Sequence, residues 1–148
     1  MRDGHNEDEI NVVANALSLY RLSRAREDLA TSRRLLEAGD YRAANNRSYY
    51  AIFHAMRSVL ALESIDSKKH SGVISEFRKR YVRNGIFSKE VSDIIGDAFF
   101  IRNASDYDDM FVASKSQTEK QIEDAQMVLD VIEKYLADHR GEIEPEGA

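Results

Sequence analysis

The sequence predicts an all-α fold, an up-and-down bundle of four main helices plus a short extra helix. Three observations lead there. The only proline, Pro145, stands in the C-terminal "GEIEPEGA", so nothing before it forbids long helices. Apolar residues recur at three- and four-residue spacing, and no stretch alternates as a strand would. The periodic segments are separated only by short breaks rich in glycine and serine, which suits neighbouring antiparallel helices.

The first helix is expected over about residues 7–38, with Ile10, Val13, Leu17, Leu22, Ala25, Leu29 and Leu36 on its apolar side and Gly39 ending it. Its stripe changes register near Tyr20, which predicts a bend or break there. Asp40 is a good N-cap for a second helix running to about residue 63, some 36 Å at ~1.5 Å per residue. "SIDSKKHSG" interrupts the pattern, and a shorter helix over about 71–83 ends at "NGIF". Ser88 caps a fourth helix over about 89–103. The last begins near Ser116, its Ile122, Ala125, Leu129, Ile132 and Leu136 forming a seam for packing against another long helix.

A chain of 148 residues, 43% of them hydrophobic, suits a single domain over residues 1–140 followed by an acidic disordered tail, 141–148. There is no cysteine, hence no disulfide and no thiol nucleophile. No apolar run approaches the ~20 residues of a membrane span, and "MRDGHNEDE" is unlike a signal peptide. The expected location is the cytoplasm, with no membrane contact. The net charge of −5 conceals an asymmetry: residues 1–20 carry −3, 21–83 carry +7 and 84–148 carry −9. A basic middle can present a local phosphate-binding surface, because screening confines the field to about 10 Å. Solvated helix faces of differing sign explain the same numbers.

Two constellations carry the candidate chemistry. On the second helix, Asn46, Arg47, Tyr50, His54 and Arg57 fall within one arc, opposite a broad buried face that includes Ala44, Tyr49, Ile52 and Phe53. This arc is either the solvent side of an amphipathic helix or one wall of a site. On the fourth helix, Arg102 shares the angle of Val91, Ile95 and Ala98, so a guanidinium points where an apolar side chain is expected. Burying it unpaired is costly, so it needs a carboxylate, a phosphate or a dimer partner. Asp106, one turn on, can supply an i,i+4 bridge. Lys68, Lys69 and His70 stand near a helix start, where an anion is favoured.

Several function classes are excluded or unsupported. His54 has no second histidine at i+3 or i+4, so no metal site is expected. Asp106, Asp108 and Asp109 lack the glycine and distal glutamate of a calcium loop. No Walker loop, serine-protease-like triad motif or helix-turn-helix signature is present, and no cofactor is implied.

The segments "YRAANNRSYYAIFHAMRSVL", "KKHSGVISEF" and "IRNASDYDD", in this order within a small helical chain, resemble the HEPN domain family over roughly residues 18–137. The resemblance implies a helical bundle that dimerises with itself, and a partner nucleotidyltransferase in a two-component toxin–antitoxin or related defence system. It also implies a metal-independent ribonuclease, whose family motif is an arginine followed four to six residues on by a histidine. Arg102 matches the arginine and Asn103 its polar neighbour, but Tyr107, Asp108 and Asp109 occupy the span where the histidine belongs, and the next histidine is His139.

Metal-free cleavage of RNA needs a base, an acid and a cation. The candidates are Arg102 for the cation, His54 for proton transfer, and Asp106 as base or orienting group. Asn46, Arg47, Tyr50, Lys69, His70 and Asn103 are candidates to bind RNA or a nucleotide. Tyr107 is the tyrosine that a partner transferase would modify. The alternative is a non-catalytic module in which the same pocket holds a nucleotide or organises a dimer or partner contact.

Overall fold

The structure, a computed structural model, describes residues 4–140, with side chains from residue 7 to 139. The expected tail at 141–148 lies outside the described residues. Five α-helices follow in order: α1 (Gly4–Glu37), α2 (Tyr41–Ala61), α3 (His70–Phe77), α4 (Lys89–Tyr107) and α5 (Lys115–Arg140). A π-helical turn, Arg78–Val82, extends α3. No strand occurs among the described residues. Helix α2 is the central staff, packed against α1, α3, α4 and α5, and the long α1 and α5 also pack on each other.

Helix α1 runs without a break through Tyr20, contrary to the expected bend. The stripe facing the core is Ala14, Ser18, Arg21, Leu22, Ala25, Asp28, Leu29 and Ser32, all buried. It keeps helical spacing throughout, but through serine, arginine and aspartate as well as apolar residues. Ile10, Val13 and Leu17, expected on the apolar side, are instead exposed, as is Tyr20. Gly39 then closes the helix in the left-handed region at φ +80°, with Gly39 N–H donating to the Leu36 carbonyl (3.0 Å) and Asp40 N–H to that of Leu35 (2.9 Å). Those are the two bonds of a Schellman cap.

Asp40 caps α2 as expected, its carboxylate accepting from Ala43 N–H at 3.2 Å. The helix ends two residues early, at Ala61, because Ser64 turns the chain at φ +56° and Ile65 N–H reaches back to the Leu60 carbonyl. In the 71–83 segment, the π turn lets Tyr81 join Phe77 and Phe87 in the core, the Phe77 and Phe87 rings stacking at 5.4 Å. Ser88 caps α4, accepting from Val91 N–H at 3.3 Å, but the helix continues four residues past the expected end, to Tyr107. The Arg42 guanidinium donates to the Ser105 carbonyl and so ties that last turn to the start of α2. The α5 seam is as expected: Ile122, Ala125, Leu129, Ile132 and Leu136 are all at most 1% exposed.

Between α2 and α5 the core contains a hydrogen-bonded polar seam, in which the amide nitrogens of Asn45 and Gln121 are paired and their Oδ1 and Oε1 are not. Gln121 Nε2 donates to the Asn45 carbonyl (2.9 Å) and to Ser48 Oγ (2.7 Å), while Asn45 Nδ2 donates to Gln117 Oε1 and Thr118 Oγ1, both at 3.1 Å. Buried groups so paired fix one register of α5 on α2. That register leaves the opposite side of α2 to face α3, α4 and the first half of the bundle, where the candidate side chains gather.

Candidate functional site

The polar arc of α2 is flanked by α1 on one side and by α3 and α4 on the other, which divides the predicted residues into two groups. On the α3–α4 side, the Arg102 guanidinium lies over the rings of Tyr49 (5.5 Å) and Tyr50 (6.0 Å). Its side chain is 20% exposed, and Nε is buried without a hydrogen bond. Asp106 provides a carboxylate oxygen 3.7 Å from that Nε, an ion pair too long to be a hydrogen bond. The position that periodicity assigns to an apolar side chain is thus a cation packed on two aromatic faces, with donor capacity left over.

His70, the first residue of α3, completes this group. Its Nδ1 is 2.7 Å from the Tyr49 hydroxyl, its ring stacks on Phe53 at 4.2 Å between centroids, and Tyr50 meets it edge-on at 5.7 Å. Burial lowers the proton affinity of His70, and the positive charges of Arg102 and Arg57 lower it further, so the neutral imidazole is favoured. Burial raises the Tyr49 phenol well above its ordinary range, against the opposing pull of Arg102, so it stays protonated.

The second group faces α1. His54 Nε2 is 3.6 Å from Asp28 Oδ2, and Arg47 Nη1 donates to Asp28 Oδ1 at 3.3 Å while its guanidinium covers the Tyr50 ring at 5.3 Å. Asn46 accepts from Arg47 at 3.3 Å. Burial lowers the His54 proton affinity; Asp28 opposes this, and Arg24, Arg57 and Arg21 reinforce it. Next along the arc, Arg57 donates to Asp66 at 2.9 Å and stands over Phe53 at 5.8 Å, while Arg21 donates to the Arg57 carbonyl at 3.2 Å. The arc is therefore a continuous ribbon of guanidinium, phenol and imidazole groups rather than bare solvent face.

The structure brings Arg102, Asp106, Tyr50 and His70 together. Arg47, Asn46 and His54 line the adjoining α1 side, joined to the first group through Tyr50, whose ring centroid is 6.2 Å from that of His54. Lys69 is exposed one residue before His70, Asn103 is half-buried beside Arg102, and Tyr107 is 82% exposed at the end of α4. Sequence reasoning missed Tyr49, which the helical wheel places on the buried face, and Asp28, whose signal was a charged residue within the buried spacing of α1. Among the described residues no group of three or more potential metal ligands occurs. A groove of about 600 Å³ lies elsewhere, between the first half of α1 and residues 61–66, and its lining of Ile10, Val13, Leu17 and Ile65 is largely apolar. No described helix is long and apolar enough to cross a membrane.

The model of the HEPN domain matches residues 18–135. The chain belongs to the HEPN domain family. Its relatives support the assignment across most of its length. A protein of Thermotoga maritima named "UPF0332 protein" is 32% identical over 119 residues, 80% of this chain and 90% of that one. Two Methanocaldococcus jannaschii proteins, both named "Putative toxin", are 34% and 29% identical, over 76% and 78% of this chain and 83% and 78% of their own lengths. In this HEPN protein Arg102 lies over the buried Tyr49 and the half-buried Tyr50, and no histidine stands between it and His139.

Proposed function

We propose that this HEPN protein is the toxin-like, RNA-directed member of a two-component system, acting in the cytoplasm as a homodimer beside a cognate nucleotidyltransferase. Its site binds an RNA phosphate at Arg102 and cleaves the strand without a metal. The observation that carries this reading is Arg102 itself: a largely buried guanidinium, seated on Tyr49 and Tyr50, whose acidic neighbour Asp106 at 3.7 Å leaves Nε without a hydrogen bond. Aromatic faces beside a cation are the chemistry that holds a nucleotide's base and phosphate together. The relatives named as toxins favour the same reading. Tyr107, 82% exposed and five residues after Arg102, is the residue proposed for modification by the transferase. A nucleotidyl group there adds negative charge at the mouth of the phosphate site and so silences it.

The test is incubation of purified protein with tRNA and total RNA in EDTA, with new ends mapped by sequencing. Site-specific cleavage by wild type and none by Arg102→Met support the proposal; equal cleavage by both, or none by either, overturns it. With the transferase and ATP, mass increase at Tyr107 is expected, and an unmodified Tyr107 removes that part.

One observation favours a second reading, a non-catalytic nucleotide- or partner-binding module. Asp106, Asp108 and Asp109 crowd the arginine's end of α4 with negative charge, which opposes a polyanion more than it opposes a protein surface. Under that reading Arg102→Met alters dimerisation or partner binding and no RNA end appears.

A further inference from the structure

The site contains an imidazole whose geometry the reading above does not use. His70 comes from α3, 32 residues before Arg102, so no local motif connects the two. The fold nevertheless sets both against the same pair of rings, Tyr49 and Tyr50. Tyr49 takes up Nδ1, and Phe53, stacked at 4.2 Å with planes 12° apart, holds the ring's plane. Nε2 is the nitrogen left for a substrate. His54 differs: Nε2 faces Asp28, and Nδ1 is buried without a partner.

We infer that His70 is the proton-transfer residue of this site, taking the place of the absent motif histidine, with Arg102 as the phosphate cation and Tyr49 as the positioning residue. This rests on the ribonuclease reading. With the Nδ1 proton donated to the Tyr49 oxygen, Nε2 accepts the proton of a ribose 2′-hydroxyl. The 2′-oxygen bonds to the adjacent phosphorus, Arg102 balances the charge of the phosphorane, and the bond from phosphorus to the 5′-oxygen breaks. The leaving oxygen takes a proton from water and His70 returns its own to solvent. The products are a 2′,3′-cyclic phosphate end and a 5′-hydroxyl end. Burial, Arg102 on α4 and Arg57 on α2 all disfavour the His70 cation, so the neutral ring is favoured, with the Tyr49 hydroxyl on α2 facing its Nδ1.

The experiment follows cyclic-phosphate ends released from total tRNA in EDTA by wild type, His70→Gln, His54→Gln and Tyr49→Phe, with thermal melts of each. His70→Gln is expected to lose about 100-fold or more in rate. Tyr49→Phe is expected to lose about 10- to 100-fold and to displace the acid limb of the pH–rate profile, which loss of packing alone does not do. Cleavage that survives His70→Gln overturns the inference and leaves the ribonuclease reading standing, most plainly where His54→Gln abolishes it. Absence of cleavage by wild type overturns both. Should His70→Gln fail to melt cooperatively, the wild-type profile decides: an acid limb centred below about pH 6.5 is expected for this lowered imidazole, and a flat profile overturns the assignment.

Discussion

Replacing Arg102 by methionine separates a functional arginine from a structural one. Three favourable interactions disappear: the guanidinium on Tyr49 at 5.5 Å, on Tyr50 at 6.0 Å, and the 3.7 Å pair with Asp106. At these distances each ring interaction contributes about 0.5–1 kcal/mol, being near the ~6 Å limit. The partly exposed i,i+4 pair adds about 0.3–0.5 kcal/mol. Against this total of about 1.5–2.5 kcal/mol stands the burial of Arg102 Nε without a hydrogen bond, a cost of about 1–3 kcal/mol that methionine removes. Methionine also continues the apolar line of Val91, Ile95 and Ala98 and packs favourably on the rings. The two sides nearly cancel, so Arg102→Met should change stability by no more than about 1.5 kcal/mol in either direction. Urea denaturation reads this as a midpoint shift at unchanged m-value. A destabilisation above about 3 kcal/mol would mean that the guanidinium organises the fold and holds no spare binding capacity, which would refute the reasoning.

Other expectations follow from the same side chains. Asp28→Ala should cost about 1–3 kcal/mol in a denaturant melt, because it strips His54 and Arg47 of their shared carboxylate while leaving both half-buried. The folded state lowers the proton affinity of both His54 and His70 relative to the unfolded chain, chiefly by burial. The unfolded state therefore binds more protons as pH falls below about 6.5, so stability is complete above that value and declines below it, and His54→Gln/His70→Gln should flatten the melting temperature between about pH 7 and 5. Gly39→Ala should cost about 1 kcal/mol by melting, with no steric part: the residue sits at φ +80° and nothing lies within 4 Å of the added Cβ.

The helices were legible in the sequence because their ends carry local chemistry. Asp40, Ser88 and Gly39 act through side chains or dihedrals within three residues of themselves, and each stands where capping rules place it. The α5 seam was equally legible from Ile122 to Leu136, where the buried positions are apolar, whereas the buried Thr118 and Gln121 before it depend on partners in α2. Helix α1 was misread at Tyr20 because its buried stripe passes through Ser18, Arg21 and Asp28, and the partners of Arg21 and Asp28 belong to other elements. Arg102 could be singled out from its angle on α4, as a charge on an apolar face. Its setting could not: Tyr49 reads as core on any wheel of α2, and only the arrival of α3 turns its hydroxyl into a histidine's anchor. The C-terminal turn of α4 was likewise hidden, depending on Arg42 reaching across 63 residues of sequence.

Whether single-stranded RNA binds at Arg102 is read by fluorescence anisotropy with a labelled mixed-sequence oligoribonucleotide, repeated over a range of salt for wild type and Arg102→Met. Wild type is expected to bind tightly and with strong salt dependence. The variant is expected to bind about tenfold more weakly or worse, with the slope of log affinity against log salt reduced by about 0.7, because one fewer phosphate is neutralised. Identical affinities and slopes for two folded proteins would rule out RNA binding at Arg102.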